Sequence, residues 1–315
     1  MTSAQNIKQK ALQLGFDLVG ITDASPLNNE QFKAFTNWLD SGYAGRMDYM
    51  QDNLDKRTNP AKLLKNAQSI ICLGLNYNPP KTQKQISTPA APLGIVVNYA
   101  QYEDYHPFIK KRLRKLTDFI SSVAGAGFSF KICVDSAPLA ERAFAARAGL
   151  GFIGKNHMLI NPELGPQLLL GEIVTSLKLQ TDEPIKADCQ GCNKCRTACP
   201  TGALRTDGRF DANKCISYLT IEHKDQIPAD LAQKIGDRIF GCNECVLACP
   251  YQTNAPVCKN KHFRFFDDRA NLNLYKMLSM SEDDFEAKFA DSVFMRLGLD
   301  RLKRNAQICL NNISR

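Results

Sequence analysis

Apolar residues recur at helical spacing from Ile7 to Leu14 and stop at Gly15. A short apolar run from Leu18 to Ile21 then predicts a strand, and helical periodicity returns from about Asn28 to Leu39. Further strands are predicted over residues 69 to 75, 94 to 98, 129 to 134, 157 to 160 and 168 to 177, with helices over 107 to 123 and 138 to 148. Between them, Asn76 to Pro92 is rich in Pro, Thr, Gln and Lys and reads as a loop or a lid. Residues 1–180 are therefore expected to form a domain of α/β or α+β class with mixed strand order. Over 181–255 the periodicity gives way to cysteine and proline. A helical pattern over 256–315 predicts a short tail packing on the first domain.

Composition narrows the class. With 315 residues and 44% hydrophobic content the chain can bury a sizeable core. No apolar run reaches the roughly 18 to 20 residues of a membrane span. The polar start from Met1 to Asn6 has neither a secretory apolar region nor a twin arginine. A cytoplasmic, monomeric protein without a membrane partner is expected. The net charge of +8 suits an anionic partner. Its densest stretches are Lys110 to Lys115, on a predicted helix, and Lys259 to Phe266, where cations alternate with aromatics; together they keep RNA in play.

Twelve cysteines in a reducing compartment point to metal or redox chemistry. Cys72, Cys133, Cys258 and Cys309 are isolated or lie in apolar runs and read as plain thiols. The other eight crowd one segment. Cys189-Gln-Gly-Cys192-Asn-Lys-Cys195-Arg-Thr-Ala-Cys199-Pro200 has the C-x2-C-x2-C-x3-C-P spacing of cubane ferredoxins, whose fourth thiolate serves the neighbouring cluster. A second unit, Cys242-Asn-Glu-Cys245-Val-Leu-Ala-Cys249-Pro250, has Ile239 where its first cysteine would stand, and Cys215 is the obvious replacement. The crossed pattern assigns one 4Fe-4S cluster to Cys189, Cys192, Cys195 and Cys249, and the other to Cys199, Cys215, Cys242 and Cys245. Two closed zinc sites could also use eight cysteines, but they would not explain the repeated C-x3-C-P.

Other stretches carry weaker signals. Gly149-Leu-Gly151-Phe-Ile-Gly154-Lys155-Asn156 imitates two nucleotide-binding motifs, yet a predicted helix precedes it and a strand follows, so both fail on context. What remains is either a structural turn or a loop that lets backbone approach a large flat ligand, with Lys155 and Asn156 as polar anchors. Asp135 follows a strand, where it is either a turn residue or a proton donor; burial against an apolar cofactor would raise its pKa. Ser136 and Pro138 are suited to cap and open the next helix, on which Glu141 and Arg142 read as a surface pair. His106, in Asp104-Tyr-His106-Pro-Phe-Ile109, partly matches a pattern in which histidine ligates cobalt. Ile109 stands where that pattern has glycine, so His106 reads better as packing at a helix start.

Taken in order, Asp104-Tyr105-His106, Val134-Asp135-Ser136-Ala-Pro138 with Glu141-Arg142, Gly149 to Asn156, Cys215-Ile-Ser217-Tyr-Leu-Thr220 and both cysteine units resemble the epoxyqueuosine reductases, cobalamin-dependent iron-sulfur enzymes of tRNA modification. The resemblance covers nearly the whole chain. It implies a nitroreductase-like cobalamin-binding domain joined to a ferredoxin-like two-cluster domain, and the two-electron reduction of an epoxide on the wobble base with loss of water. Asp135 would then be the proton donor. Arg57, Lys155, Asn156 and Ser217 match positions near the corrin, while His223 and Lys224 match weaker candidates for tRNA contact. The implied partners are a tRNA anticodon stem-loop and an external one-electron donor such as ferredoxin or flavodoxin. Asn98-Tyr-Ala-Gln-Tyr102-Glu103 departs from the family's usual Arg-Tyr-Ala and following glycine. Rival readings are a corrinoid reductive dehalogenase, a non-catalytic two-cluster electron carrier and a zinc-stabilised RNA-binding protein.

Overall fold

A computed structural model of the chain describes residues 4–80, 91–125 and 127–314. Residues 81–90, the centre of the expected loop or lid, lie outside the described residues. Four strands, β1 (Leu18–Asp23), β2 (Ser69–Asn76), β4 (Phe130–Cys133) and β7 (Leu168–Thr175), form a sheet in the order β1-β2-β7-β4. Every pairing in it is antiparallel, so the alternation of helix and strand produces an α+β layer rather than the mixed sheet expected. The central strands β2 and β7 are buried at every position, which is why they read as unbroken apolar runs.

Side chains alternate between the two faces of this sheet. Ile71, Leu73 and Leu75 pack with Ile173 against the helices Ala4–Gln13 and Tyr105–Ala124. Ile70 and Cys72 join Cys133, Leu170 and Val174 on the other face, beneath Phe144 of the helix Glu141–Arg147. That helix begins three residues later than its sequence suggests. Ser136 turns its hydroxyl to the Val134 carbonyl (3.3 Å) instead of capping, and Pro138 stays in the loop. Its C-terminal end rides directly on β1: a Cβ at Gly20 would lie 2.0 Å from the Ala148 carbonyl oxygen.

A second sheet, in the order β8-β3-β9, draws one strand from each part of the sequence: β3 (Leu93–Val96), β8 (Arg238–Phe240) and β9 (Asn271–Asn273). Its core holds Val96, Ile216, Phe240, Phe294 and Leu302. The tail thus packs on β3 of the first domain and equally on the cysteine segment, and Asn305 of the last helix donates to the Thr220 and Ile239 carbonyls (2.8 and 3.0 Å). The glycine-rich run becomes a hairpin of β5 (Phe152–Ile153) and β6 (Leu159–Ile160). Among the described residues, no helix is long and apolar enough to cross a membrane.

Candidate active site

The proline that follows each fourth cysteine disfavours helical backbone at that cysteine. Cys199 accordingly leaves the Lys194–Ala198 helix in extended backbone, and Cys249 is extended before Pro250 opens the next short helix. Both thiols are thereby carried away from the loops that hold their sequence neighbours. Cys249 joins Cys189, Cys192 and Cys195 around a cavity of about 250 Å³. Cys215, Cys242 and Cys199 act on Cys245 as its charge neighbours, followed by Cys195 of the first group. Among the described residues, no three of these thiols converge tightly enough for a single metal ion, whereas a zinc site needs its sulfurs within about 2.3 Å of the metal. Cys72, Cys133 and Cys309 are buried in apolar cores, and Cys258 lies beside Tyr102, away from both groups.

Lys155 and Asn156 meet the cysteine segment. The Lys155 amide donates to Cys189 Sγ (3.4 Å) and its ammonium to the Cys192 carbonyl (2.8 Å), while Asn156 Nδ2 donates to the Cys245 carbonyl (3.2 Å). The hairpin glycines allow close approach, but to protein: a Cβ at Gly151 would lie 2.4 Å from the Ile160 carbonyl oxygen and one at Gly149 would lie 2.5 Å from that of Glu183. Lys155 and Asn156 thus join the hairpin to the cysteine segment. Asn98 belongs to the same junction. It donates to Gln167 Oε1 (2.7 Å) and accepts from Asn243 Nδ2 (2.8 Å), beside Cys242.

Asp135 stands at the end of β4 with left-handed backbone (φ +53), a conformation aspartate tolerates better than most residues. Its amide donates to Glu141 Oε1 (2.5 Å), and the loop is pinned again where the Ala140 amide donates to the Arg57 carbonyl (3.0 Å). Its carboxylate is 3.1 Å from His106 Nε2, and Nδ1 of the same ring is 2.6 Å from Asp104 Oδ1. Both imidazole nitrogens are engaged, so His106 is not a free metal ligand. Tyr105 stacks on His106 (4.0 Å between centroids) and its hydroxyl bonds to Asp135.

In the chain alone the Asp135 carboxyl is pulled in both directions. Burial pushes it up, but the hydrogen bond and charge of His106, with the Tyr105 hydroxyl and Arg296, outweigh burial and hold the carboxyl below its ordinary range. For His106, burial pushes down, yet the bonds to Asp104 and Asp135 win and raise it. Imidazole therefore holds a proton more firmly than usual and the carboxyl less firmly, and the Asp135 side chain is 59% exposed. The Asp-Tyr-His run was visible in the sequence. Its pairing with Asp135 was not, because 29 residues separate the two partners.

The family model described as epoxyqueuosine reductase QueG, DUF1730, matches residues 57–136, and that described as 4Fe-4S double cluster binding domain matches residues 188–252. The epoxyqueuosine reductase of Vibrio cholerae is 36% identical over 309 residues, covering 98% of this chain and 83% of that protein. The chain belongs to the epoxyqueuosine reductase family. A solved epoxyqueuosine reductase with an epoxyqueuosine-modified tRNA-Tyr stem loop superposes with a TM-score of 0.90 at 31% identity, covering 98% of this chain and 80% of that one. The Bacillus subtilis epoxyqueuosine reductase, with its catalytic aspartate loop swung out of the active site, superposes at 0.91 and 30% identity over 98% of this chain and 81% of that one.

Arg57 faces the Asp135 and Glu141 carboxylates, and its buried Nε has no hydrogen-bond partner. Ser217 is half-buried, with its hydroxyl against the Cys215 thiol. The same segment continues into Glu222, on which the Asp135 charge acts. His223 Nε2 donates to the Gln226 carbonyl (3.2 Å) while its Nδ1 is buried without a partner; Lys224 is exposed. Asp135, Arg57 and Glu222 all act on Tyr49, which was not legible as a neighbour of this group.

Proposed function

We propose that this chain reduces epoxyqueuosine to queuosine at the wobble position of tRNA, using cobalamin and two 4Fe-4S clusters, with Asp135 as the proton donor. The observation that carries this reading is the Asp104–His106–Asp135 chain, whose outer carboxylate acts on Glu222 of the segment that delivers Cys215. Removing the epoxide oxygen as water takes two electrons and two protons. A cluster held by Cys189, Cys192, Cys195 and Cys249 and another held by Cys199, Cys215, Cys242 and Cys245 would store both electrons, one each. They would be refilled by a small one-electron donor of the ferredoxin or flavodoxin type. Cobalamin, when bound, supplies the redox-active metal through which electrons reach a substrate carbon.

The chain's own residues fit such a cofactor. The orphaned Arg57 Nε needs an acceptor, and the amide side chains of a corrin offer one. Ser217 would face the same edge. Lys155 and Asn156 would act from behind, fixing the cysteine loops against the hairpin. The α+β layer with its helices fits a nitroreductase-like cofactor domain. His223 and Lys224 at the rim suit contact with an anticodon stem-loop, and the protein would work as a monomer in the cytoplasm.

His106 and Asp135 act together as the acid: the carboxylate touches the epoxide oxygen and passes on the proton that imidazole holds. Stabilisation from this pair is complete below the ordinary histidine value of about 6.5 and is lost as pH rises through the raised His106 pKa. The rate of queuosine formation should follow the same proton, with an alkaline limb above pH 6.5. In His106→Gln that limb should vanish and the rate at neutral pH should fall about 10- to 100-fold. The whole reading is tested in cells lacking their own epoxyqueuosine reductase: expressing this chain should convert epoxyqueuosine in their tRNA to queuosine, and unchanged epoxyqueuosine with well-expressed, cluster-bearing protein would contradict it.

A further inference from the structure

Behind the Asp135 loop lies an acidic residue that the reaction described above does not use. Glu172, in the middle of β7, is 0% exposed, and neither carboxylate oxygen has a hydrogen-bond partner. Directly across the sheet stand Cys72 on β2 and Cys133 on β4, both buried, and Phe144 and Ala145 help close the apolar core on this face. The groups acting on Glu172 are Glu141, within hydrogen-bonding reach, and Asp135. Both are acidic. Two carboxyls facing each other out of water do not both ionise, because each charge loses its hydration and repels the other. One must keep a proton, and that proton gives the pair its hydrogen bond. Glu141 is also the residue that accepts the Asp135 amide at 2.5 Å and so supports the left-handed turn there.

We propose that Glu172, as a neutral acid, donates a hydrogen bond to Glu141, and that this buried acid pair is the latch holding the Asp135 loop in its His106-facing conformation. The inference rests on the reading of Asp135 as the group that meets substrate, and it assigns Glu141 and Glu172 as positioning residues. A movable loop needs such a latch, and the Bacillus subtilis relative has its catalytic aspartate loop swung out. Burial first, then the Glu141 charge, push Glu172 well above the ordinary carboxylic value of 4.5. Burial and the Asp135 charge push Glu141 up to about 7. Glu141 is therefore the member of the pair that ionises first, and above about pH 7 it is the charged acceptor for the Asp135 amide, the stronger form of that bond. Facing the pair from other elements are Arg57, Tyr105, Cys72 and Cys133, with Arg142 from the helix of Glu141 itself.

Three measurements on cluster-loaded protein test the latch without relying on turnover. The infrared spectrum at pH 7 should contain the carbonyl band of a protonated carboxylic acid that Glu172→Gln removes; its absence from the parent would overturn the proposal. Because the folded state holds the Glu172 proton, its contribution to stability is full below about pH 4.5 and declines as pH rises towards the raised value. Glutamine has no such decline, so the Tm of Glu172→Gln relative to the parent should climb steadily between pH 5 and pH 8, and a constant difference would count against a shared proton. In hydrogen exchange, amides of residues 135–140 should open about 10- to 100-fold faster in Glu141→Ala and stay protected in Glu172→Gln, whose amide still donates to Glu141. Unchanged exchange in a folded Glu141→Ala protein would show that the loop is held by something else. An active Asp135→Asn protein would remove the donor role and leave these three results standing, so the two readings fail separately.

Discussion

Asp135→Asn protein carrying both clusters and cobalamin should form queuosine about 10²- to 10⁴-fold more slowly than the parent. Two losses add in the same direction. The amide cannot deliver a proton, and removing the carboxylate charge takes away one of the two contacts that raise the His106 pKa, so imidazole holds its proton less firmly. Asparagine is nearly the same size and tolerates the left-handed backbone at φ +53, so the loop and the cofactor content should be unchanged. That combination separates a chemical role from a structural one. Full turnover with intact cofactors would end the assignment of Asp135 as donor.

Cys215→Ala should lose half of the iron and sulfide and all detectable turnover. Cys215 is the one ligand of the second group that its local cysteine run does not supply. It stands 27 residues before Cys242, at the end of a short 3-10 turn capped by Asp211. Without it, Cys199, Cys242 and Cys245 offer three thiolates to a cluster that takes four. The cluster of Cys189, Cys192, Cys195 and Cys249 should persist, because its ligands line a separate cavity. Cys258→Ala is the matched control: its thiol lies beside Tyr102 and outside both groups, so both clusters should remain. Iron and sulfide analysis with the spectrum of the reduced protein distinguishes these outcomes, and a Cys215→Ala protein with full iron would refute the crossed assignment.

What could be read in the sequence follows the range over which each signal acts. The strands at 69–76 and 168–175 were legible because they are buried on both faces and leave continuous apolar runs. The cysteine units were legible because ligand spacing is local chemistry. Strand direction was not, since an antiparallel order of β1-β2-β7-β4 depends on which runs pair across more than 90 residues. The second sheet was hidden for the same reason, its three strands coming from three distant stretches.

At the site, Asp135 stood out as a carboxylate at a strand end, but its charge state depends on His106, which is invisible to a reading that looks only at flanking residues. Glu141 looked like half of a surface pair and instead supports the loop from below. Lys155 and Asn156 were recognised as anchors, though what they anchor is the cysteine segment.

The central claim joins electrons from the cysteine segment to a proton from the Asp135 loop on one substrate. It is tested most directly by incubating reduced protein, loaded with both clusters and cobalamin, with tRNA that contains epoxyqueuosine, and following the wobble nucleoside by mass spectrometry. The account predicts conversion to queuosine by loss of the epoxide oxygen, dependent on reductant and on Asp135. Epoxyqueuosine left intact by protein shown to carry reduced clusters and bound cobalamin would contradict it.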